Sequence, residues 1–462
     1  KRACDNCISR KVRCSGSSPC ETCSDAAKPV TCTYLRPARK RGPKKRRSAR
    51  RCQSPELESY HAGSAKSNDL PERISRSVLA LIVRHYQQSS YSVWPVINAE
   101  GFLQDVNDIE PGNSDPQAAM FDCLVTSLCA ATMAQLHLAP IWDGSCSSFV
   151  DSSVMGKTCL RIRDDYNCDR GNIGICSILT SFFLHVYHAK LNQRTAAMLY
   201  IQEAIAGARE LRLDKMSSRL WNVPDSNLIV NRELIFPLLW VTERGYALHL
   251  NVSPLYIEPV SLPEIAASPI IDSQARGLID LVRLFVAFDH ISVRRQPHAS
   301  ITSAPCLTDT ESKLSSVRLT DDQISARTAD CHITREWMRT ILWQKALALG
   351  LLSSTSYTAM MNFGFPGKIG RDLLRSLRYF TAADLLPLGR DQLLKCFEIA
   401  STLADTILLT SATSSGCEFG PQDFLHALYQ KLLPSFEQDT TLKSNLRCKM
   451  AEVLVTAPAR LL

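Results

Sequence analysis

From about residue 74 to the C-terminus, apolar side chains recur at three- and four-residue spacing, the period of a buried helical face. Ile74, Val78, Leu81 and Ile82 form the first such stripe. Asp69-Leu70-Pro71-Glu72, just before it, has the form of a helix start, with a capping residue and then proline and an acid in the first turn. The period returns in "FDCLVTSLCAATMAQLHL" from Phe121, "TAAMLYIQEAIAGARELRL" from Thr195 and "ELIFPLLWVTERGYALHL" from Glu233. It returns again in "TREWMRTILWQKALALGLL" from Thr334 and "RDQLLKCFEIASTLADTILL" from Arg390. No fixed repeat length joins these segments, so a solenoid of known repeat type is not indicated. Between Leu262 and Gln323 the period is mixed, and a long loop is predicted there. The expected fold is mostly α, a large all-helical domain over residues 74–462.

The first 73 residues follow a different rule. Residues 36–73 are basic, then rich in Ser, Asn, Pro and Glu, with little to bury, and read as a linker. Residues 1–35 hold six cysteines in a short polar segment. Charge separates the same regions: residues 1–51 carry sixteen Lys or Arg against three acids, while the chain as a whole is only +8. A basic head on a mildly acidic body points to a polyanionic partner held by the N-terminal part. The longest apolar runs are short and broken by polar residues, so no membrane span is expected. No signal-peptide core precedes the first cysteine, which puts the thiols in a reducing compartment. The chain begins at Lys1 rather than Met, as a piece of a longer protein would.

Cys4, Cys7, Cys14, Cys20, Cys23 and Cys32 are spaced C-x2-C-x6-C-x5-C-x2-C-x8-C, one unit used twice. A C-x2-C pair lets two thiolates face one metal from a single turn. Two tetrahedral zinc ions need eight bonds, which six thiolates supply only when two of them bridge. By the symmetry of the repeat the bridges are the first cysteine of each half, Cys4 and Cys20. A disulfide knot would need an oxidising compartment. A cross-braced zinc domain needs about eight ligands, usually including His, and the first histidine is His61. A closed thiolate cluster leaves no open position for catalysis.

The spacing, with the run "RACDNCISRKVRCSGSSPCETC", resembles the fungal Zn2Cys6 binuclear-cluster transcription factors. The following "CTYLRPARKRGPKKRR" is similar to the branch that includes maltose- and starch-utilisation activators. The resemblance implies two zinc ions held by the six cysteines, with Cys4 and Cys20 at the bridging positions and Pro19 in the turn between the halves. It also implies double-stranded DNA as partner, contact with the transcription machinery and a nuclear location. Relatives often dimerise through a coiled coil after the linker. This chain shows no leucine heptad, so a monomer and a homodimer through the large domain both stay open.

Positive charge is concentrated in the first arm, "ISRKVR", through Arg10, Lys11 and Arg13, whereas "SDAAKPVT" in the second arm has one Lys and one Asp. The first arm is therefore expected to face DNA and the second to complete the cluster. Lys and Arg donate to guanine O6 and N7 or pair with phosphates. The resemblance gives the base contact, in a CGG-type triplet, to Lys11, and phosphates to Arg10 and Arg13. Downstream, "RPARKRGPKKRRSARR" contains Arg39, Lys40, Arg41, Lys44 and Lys45, a track that can lie along phosphates and also reads as a nuclear-import signal. Gly42-Pro43 favours an extended track over a basic-zipper helix.

The large domain carries no strong catalytic signature, and no enzyme activity is expected. "GFPGKIG" around Gly367 lacks the first glycine and the Ser/Thr of a phosphate loop. His185 and His188, one turn apart in an aromatic run, read as core or interface histidines. "YSVWPVINAEGF" at Tyr91, "RELIFPLLWVTERGYALHL" at Arg232 and "ITREWMRTILWQ" at Ile333 resemble the regulatory middle homology region of the same transcription factors. Helix packing and local ion pairing are their expected physical roles. The predicted function is zinc-dependent, sequence-specific regulation of RNA polymerase II genes for carbohydrate use or a secondary-metabolite cluster. The rival is a zinc module that binds protein or RNA without duplex sequence preference.

Overall fold

The computed structural model describes residues 3–26, 30–35, 74–108, 116–166, 173–215, 230–260, 262, 273–289, 303–319, 324–410 and 419–458. The chain divides into two compact units, Lys1–Lys66 and Ser67–Leu462. The predicted linker 36–73, with Arg39, Lys40, Arg41, Lys44 and Lys45, lies outside the described residues.

In the first unit, α1 (Asp5–Arg10) and α2 (Glu21–Ser24) each begin immediately after a cysteine of the repeat. Cys4 and Cys20 occupy the two N-cap positions in extended conformation, so the repeat in sequence is a repeat in structure. The Ser18–Pro19 peptide between the halves is cis.

The second unit is mostly α. Its first helices are α3 (Arg76–His85), α4 (Ala99–Asp108) and α5 (Pro116–Leu136). A two-stranded antiparallel hairpin follows, β1 (Ile141–Asp143) against β2 (Ser148–Val150). Then come α6 (Ser152–Tyr166), α7 (Ile175–Lys190), α8 (Arg194–Glu210) and α9 (Arg232–Leu250). The later part runs through α10 (Ser273–Asp289), α11 (Ala304–Ser316), α12 (Ala326–Ala348) and α13 (Phe365–Leu377). It closes with α14 (Ala382–Leu385), α15 (Gly389–Leu409), α16 (Pro421–Leu432) and α17 (Thr440–Thr456). Packing is largely serial: α5 on α6 and α7, α7 on α8, α8 on α9, α9 on α10, and α10 on α12. Helix α12 then packs on α13 and α15, and α15 on α17.

The helix that carries Val78, Leu81 and Ile82 is capped by Ser75, whose hydroxyl accepts the Val78 N–H at 3.4 Å, while Asp69-Leu70-Pro71-Glu72 lies outside the described residues. Within 262–323 the described residues form α10 and α11, and the stretches 263–272, 290–302 and 320–323, where a long loop is expected, lie outside the described residues. Leu278, Ile279, Val282, Leu284 and Phe285 of α10 are buried, a helical face that Gly277 and short polar flanks obscure in the sequence. Gly277 is where the helix meets Arg327, whose Cγ would lie 2.6 Å from an added Cβ. One expectation changes: α5 is long and apolar enough to cross a membrane, with mean hydropathy 1.4, but 83% of that stretch is buried inside the body. It is apolar on nearly every side because it is surrounded by protein. Each fully buried Leu along it, such as Leu124 and Leu128, contributes about 1.5–3 kcal/mol.

The three segments that resemble the middle homology region are packing elements. Arg244 stacks its guanidinium 3.7 Å over Trp240 and pairs with Asp289 at 3.1 Å, joining α9 to the end of α10. Glu243, fully buried, accepts the Leu255 N–H at 2.7 Å and so fixes the turn after α9. Trp337 of α12 donates its indole N–H to Glu398 of α15 at 2.6 Å. His185 and His188 are core residues. The Nδ1 of His185 meets the Ala197 carbonyl at 2.8 Å, and burial pulls its pKa down to about 4. His188 stacks on Tyr200. "GFPGKIG" opens α13, with Pro366 in its first turn.

Candidate metal centre and nucleic-acid interface

The six cysteine sulphurs of the first unit come together as two overlapping groups of four: Cys4, Cys7, Cys14 and Cys20, and Cys4, Cys20, Cys23 and Cys32. Within each group all sulphurs lie within 4.8 Å of one another. The shared members are Cys4 and Cys20. Their Sγ atoms are 3.7 Å apart, with Cys4–Cys23 at 3.6 Å and Cys7–Cys20 at 3.7 Å. A tetrahedral zinc with bonds of about 2.3 Å sets its sulphurs about 3.8 Å apart. These separations fit shared metal ions and are far too long for disulfide bonds, and all six cysteines are free thiols. The donor set fits two zinc ions with two bridging thiolates.

Backbone donors repeat around the cluster as the sequence does. The Cys4 N–H donates to Cys14 Sγ at 3.4 Å, and the Cys20 N–H to Cys32 Sγ at 3.4 Å. The Cys7 N–H donates to Cys4 Sγ, also at 3.4 Å. That donation draws the Cys4 thiol down to about 6, against burial, which pushes it up. The Cys14 thiol is lowered by the Cys4 N–H. At Cys7 and Cys20 burial dominates, pushing Cys7 up to about 12 and raising Cys20. Metal binding must expel protons from the raised thiols, so zinc affinity falls as pH falls.

The cluster is also closed by residues that cysteine spacing does not reveal. The Asp5 carboxylate accepts the Leu35 N–H at 2.6 Å and the Thr33 hydroxyl at 3.2 Å, and the Asp5 N–H donates to the Thr33 carbonyl at 2.8 Å. Asn6 donates to Cys23 Sγ at 3.7 Å. Tyr34 packs on the cysteines and donates its hydroxyl to the Ser17 carbonyl at 2.7 Å. An acid directly after the first cysteine was the available signal for Asp5; its partner lies 30 residues away and left none. Asp5→Ala is expected to destabilise the zinc-loaded module by about 1–3 kcal/mol, as a charge-assisted bond from a backbone donor is lost. Chelator titration followed by metal release checks this, and unchanged release excludes the closing role.

Arg10, Lys11 and Arg13 are all exposed. Lys11 is the C-cap of α1, in the left-handed region at φ 54° and ψ 34°, and its N–H is tied to the Cys7 and Ile8 carbonyls. The side chain that carries the charge therefore stands on a backbone pinned to a cluster cysteine. Ile8 and Val12, also exposed, flank the cations. An exposed surface of this kind, with cations and a little apolar area, suits a groove edge.

The first unit is thus a closed thiolate cluster that displays a basic arm. Residues 2–41 match the fungal Zn(2)-Cys(6) binuclear cluster domain, and over most of its length the chain is similar to fungal regulators of maltose fermentation and respiration. It is 26% identical over 428 residues to maltose fermentation regulatory protein MAL13 of Saccharomyces cerevisiae, covering 88% of this chain and 84% of that one. To the probable sucrose utilization protein SUC1 of Candida albicans it is 26% identical, over 89% of this chain and 80% of that one. To the respiratory transcription factor ZNF1 of S. cerevisiae it is 23% identical, over 99% and 95% of the two chains. No solved structure matches the chain.

Proposed function

We propose that the protein is a nuclear, sequence-specific regulator of RNA polymerase II genes for sugar use, recognising CGG-type triplets. In this reading Cys4, Cys7, Cys14, Cys20, Cys23 and Cys32 ligate two zinc ions, with Cys4 and Cys20 bridging. Lys11 donates to base edges, while Arg10 and Arg13 hold phosphates on either side. Arg39, Lys40, Arg41, Lys44 and Lys45 grip the backbone beyond the triplet and supply the import signal. Residues 74–462 form the regulatory domain, which contacts the transcription machinery and has no catalytic role. The observation that carries the reading is the pair of four-sulphur groups sharing Cys4 and Cys20, with exposed Lys11 fixed at the end of α1. Relatives named for maltose fermentation and sucrose utilization favour carbohydrate use over a secondary-metabolite cluster.

Selection of random duplex DNA by the purified full-length chain, with zinc and with a chelator, tests this. Zinc-dependent enrichment of CGG-type sites is expected. One triplet would define a monomer, and two at fixed spacing a homodimer. Equal binding of all sequences that survives chelation would reject the reading in favour of a module for protein or RNA. Within the selected site, Lys11→Ala is expected to cost about 1–3 kcal/mol and to relax the preference at one base pair. Arg13→Ala is expected to weaken all sequences alike and to lower the salt slope by about one. Filter binding at several salt concentrations separates the two, and an unchanged base preference in Lys11→Ala would remove that residue from base readout.

A further inference from the structure

The second half of the cluster is poor in positive charge, yet it does more than complete the metal site: its helix α2 holds the basic arm of the first half. The hydroxyl of Thr22, half-buried on α2, donates to the Arg13 carbonyl at 2.8 Å. Next to it, the Glu21 N–H donates to the Ser15 hydroxyl at 3.1 Å. Ser15 is also bonded to the Ser17 hydroxyl at 3.0 Å, and between them Gly16 turns the chain at φ 77°. Two consecutive residues of α2 thus clasp the stretch where the arm returns to the cluster.

The clasp falls where the first half gives the arm no hold of its own. The near side of the arm is fixed from α1: the Lys11 N–H is tied to the Cys7 and Ile8 carbonyls, and the Val12 N–H donates to the Cys7 carbonyl at 3.1 Å. Cys14, on the far side, is held among the sulphurs and by the Cys4 N–H. Arg13 stands between these anchors with its side chain exposed. Among the described residues, the Thr22 hydroxyl is the partner that fixes the Arg13 peptide. A guanidinium on a long stem moves further than the backbone that carries it, and its planar fork pairs with phosphate oxygens in a narrow range of directions. Fixing the backbone in advance removes part of the ordering cost of that contact.

We propose that Thr22 is a positioning residue for DNA binding: from the second half of the module it fixes the backbone of Arg13, so that the guanidinium meets its phosphate already oriented. The proposal deepens the DNA-binding reading and rests on Arg13 as a phosphate contact. Lys11 has its own anchor on α1, so base preference does not pass through Thr22. The charge-poor half of the module in this way acts on DNA without touching it.

Filter binding of the zinc-loaded full-length chain to the selected duplex, at several salt concentrations, tests the proposal in Thr22→Val, Thr22→Ser, Arg13→Ala and the double variant Thr22→Val with Arg13→Ala. Thr22→Val keeps the shape of the side chain and removes its hydroxyl. It is expected to weaken binding about three- to tenfold, the range for one hydrogen bond, for all sequences alike and with base preference unchanged. Thr22→Ser keeps the hydroxyl and is expected to restore binding. Zinc content and the rate of zinc release to a chelator should match the wild type in both. In the Arg13→Ala background Thr22→Val should add no further loss, because the group it orients is gone. Weakened binding in Arg13→Ala with none in Thr22→Val overturns the proposal and leaves the DNA-binding reading standing. Faster zinc release in Thr22→Val, or a loss that persists in full beside Arg13→Ala, makes Thr22 a structural part of the cluster and likewise overturns it. If Arg13→Ala itself binds as the wild type does, the phosphate role of Arg13 and the proposal fall together. A wild-type chain that binds no duplex in a zinc-dependent way overturns the DNA-binding reading and the proposal with it.

Discussion

Serine at either Cys4 or Cys20 abolishes zinc-dependent DNA binding, whereas serine at Cys14 or Cys32 leaves a weakened module. That is the expected result of the sharing seen in the cluster. Cys4 and Cys20 belong to both four-sulphur groups and are fully buried; Cys14 and Cys32 belong to one group each and are partly exposed. Removing a shared thiolate leaves both ions three-coordinate, while removing a peripheral one leaves a water-accessible position at a single ion. Among the described residues the module's core is the cysteines with Tyr34 packed on them, so metal affinity is folding free energy, about 10–16 kcal/mol for structural zinc sites. Metal content per chain and duplex binding, measured together, check the prediction. Two zinc ions retained in Cys4→Ser would remove Cys4 from the bridging position, and equal damage from all four substitutions would argue against any shared ligand.

The cluster was legible because its information is local. Ligand spacing fixes which thiols can reach one ion, and the repeat places Cys4 and Cys20 at equivalent N-caps. Asp5 was not legible as a closing residue, because its partner at Leu35 is set by the path of the intervening chain. The helical body shows the same division. Helices with an unbroken apolar stripe, such as α5, α9 and α12, follow from periodicity. Helix α10 did not, since Gly277 reads as a helix-weakening residue until Arg327 is found packed where its side chain would be. The hairpin β1–β2 was missed because it is very short and its Trp142 and Phe149 meet edge-on across the strands while largely exposed. A cavity of about 480 Å³ between the C-terminal ends of α5, α7 and α9 and the start of α15 could not be read at all. Gln135, Tyr246 and Asp391 lie on three helices far apart in sequence, and nothing local to any of them marks a shared wall.

Within the body, the largest single loss is expected from Asp330→Ala. Asp330 is 4% exposed and accepts from Arg327, Gln392 and, at 2.9 Å, the Thr334 hydroxyl, with Lys395 Nζ 3.5 Å away. Arg327 also donates to the Ser92 carbonyl at 3.2 Å and to the Val93 carbonyl, and Lys395 to Thr334 at 2.7 Å. One carboxylate therefore balances two buried cations that join α12, α15 and the "YSVWPV" segment. Alanine leaves Arg327 and Lys395 buried without their counter-charge, which costs about 3–5 kcal/mol when one partner of a buried pair is removed. Asp405→Ala is the control, because its pair with Lys449 at 2.7 Å is largely exposed and such pairs are worth about 0–1 kcal/mol. Denaturant unfolding of the two variants should separate them by several kcal/mol. Adding Arg327→Met and Lys395→Met to Asp330→Ala should recover much of the loss, since the damage lies in stranded charge rather than in missing attraction. If the triple variant is no more stable than Asp330→Ala, the carboxylate acts through its hydrogen bonds to Thr334 and Gln392, and charge balance is not what holds α12 to α15.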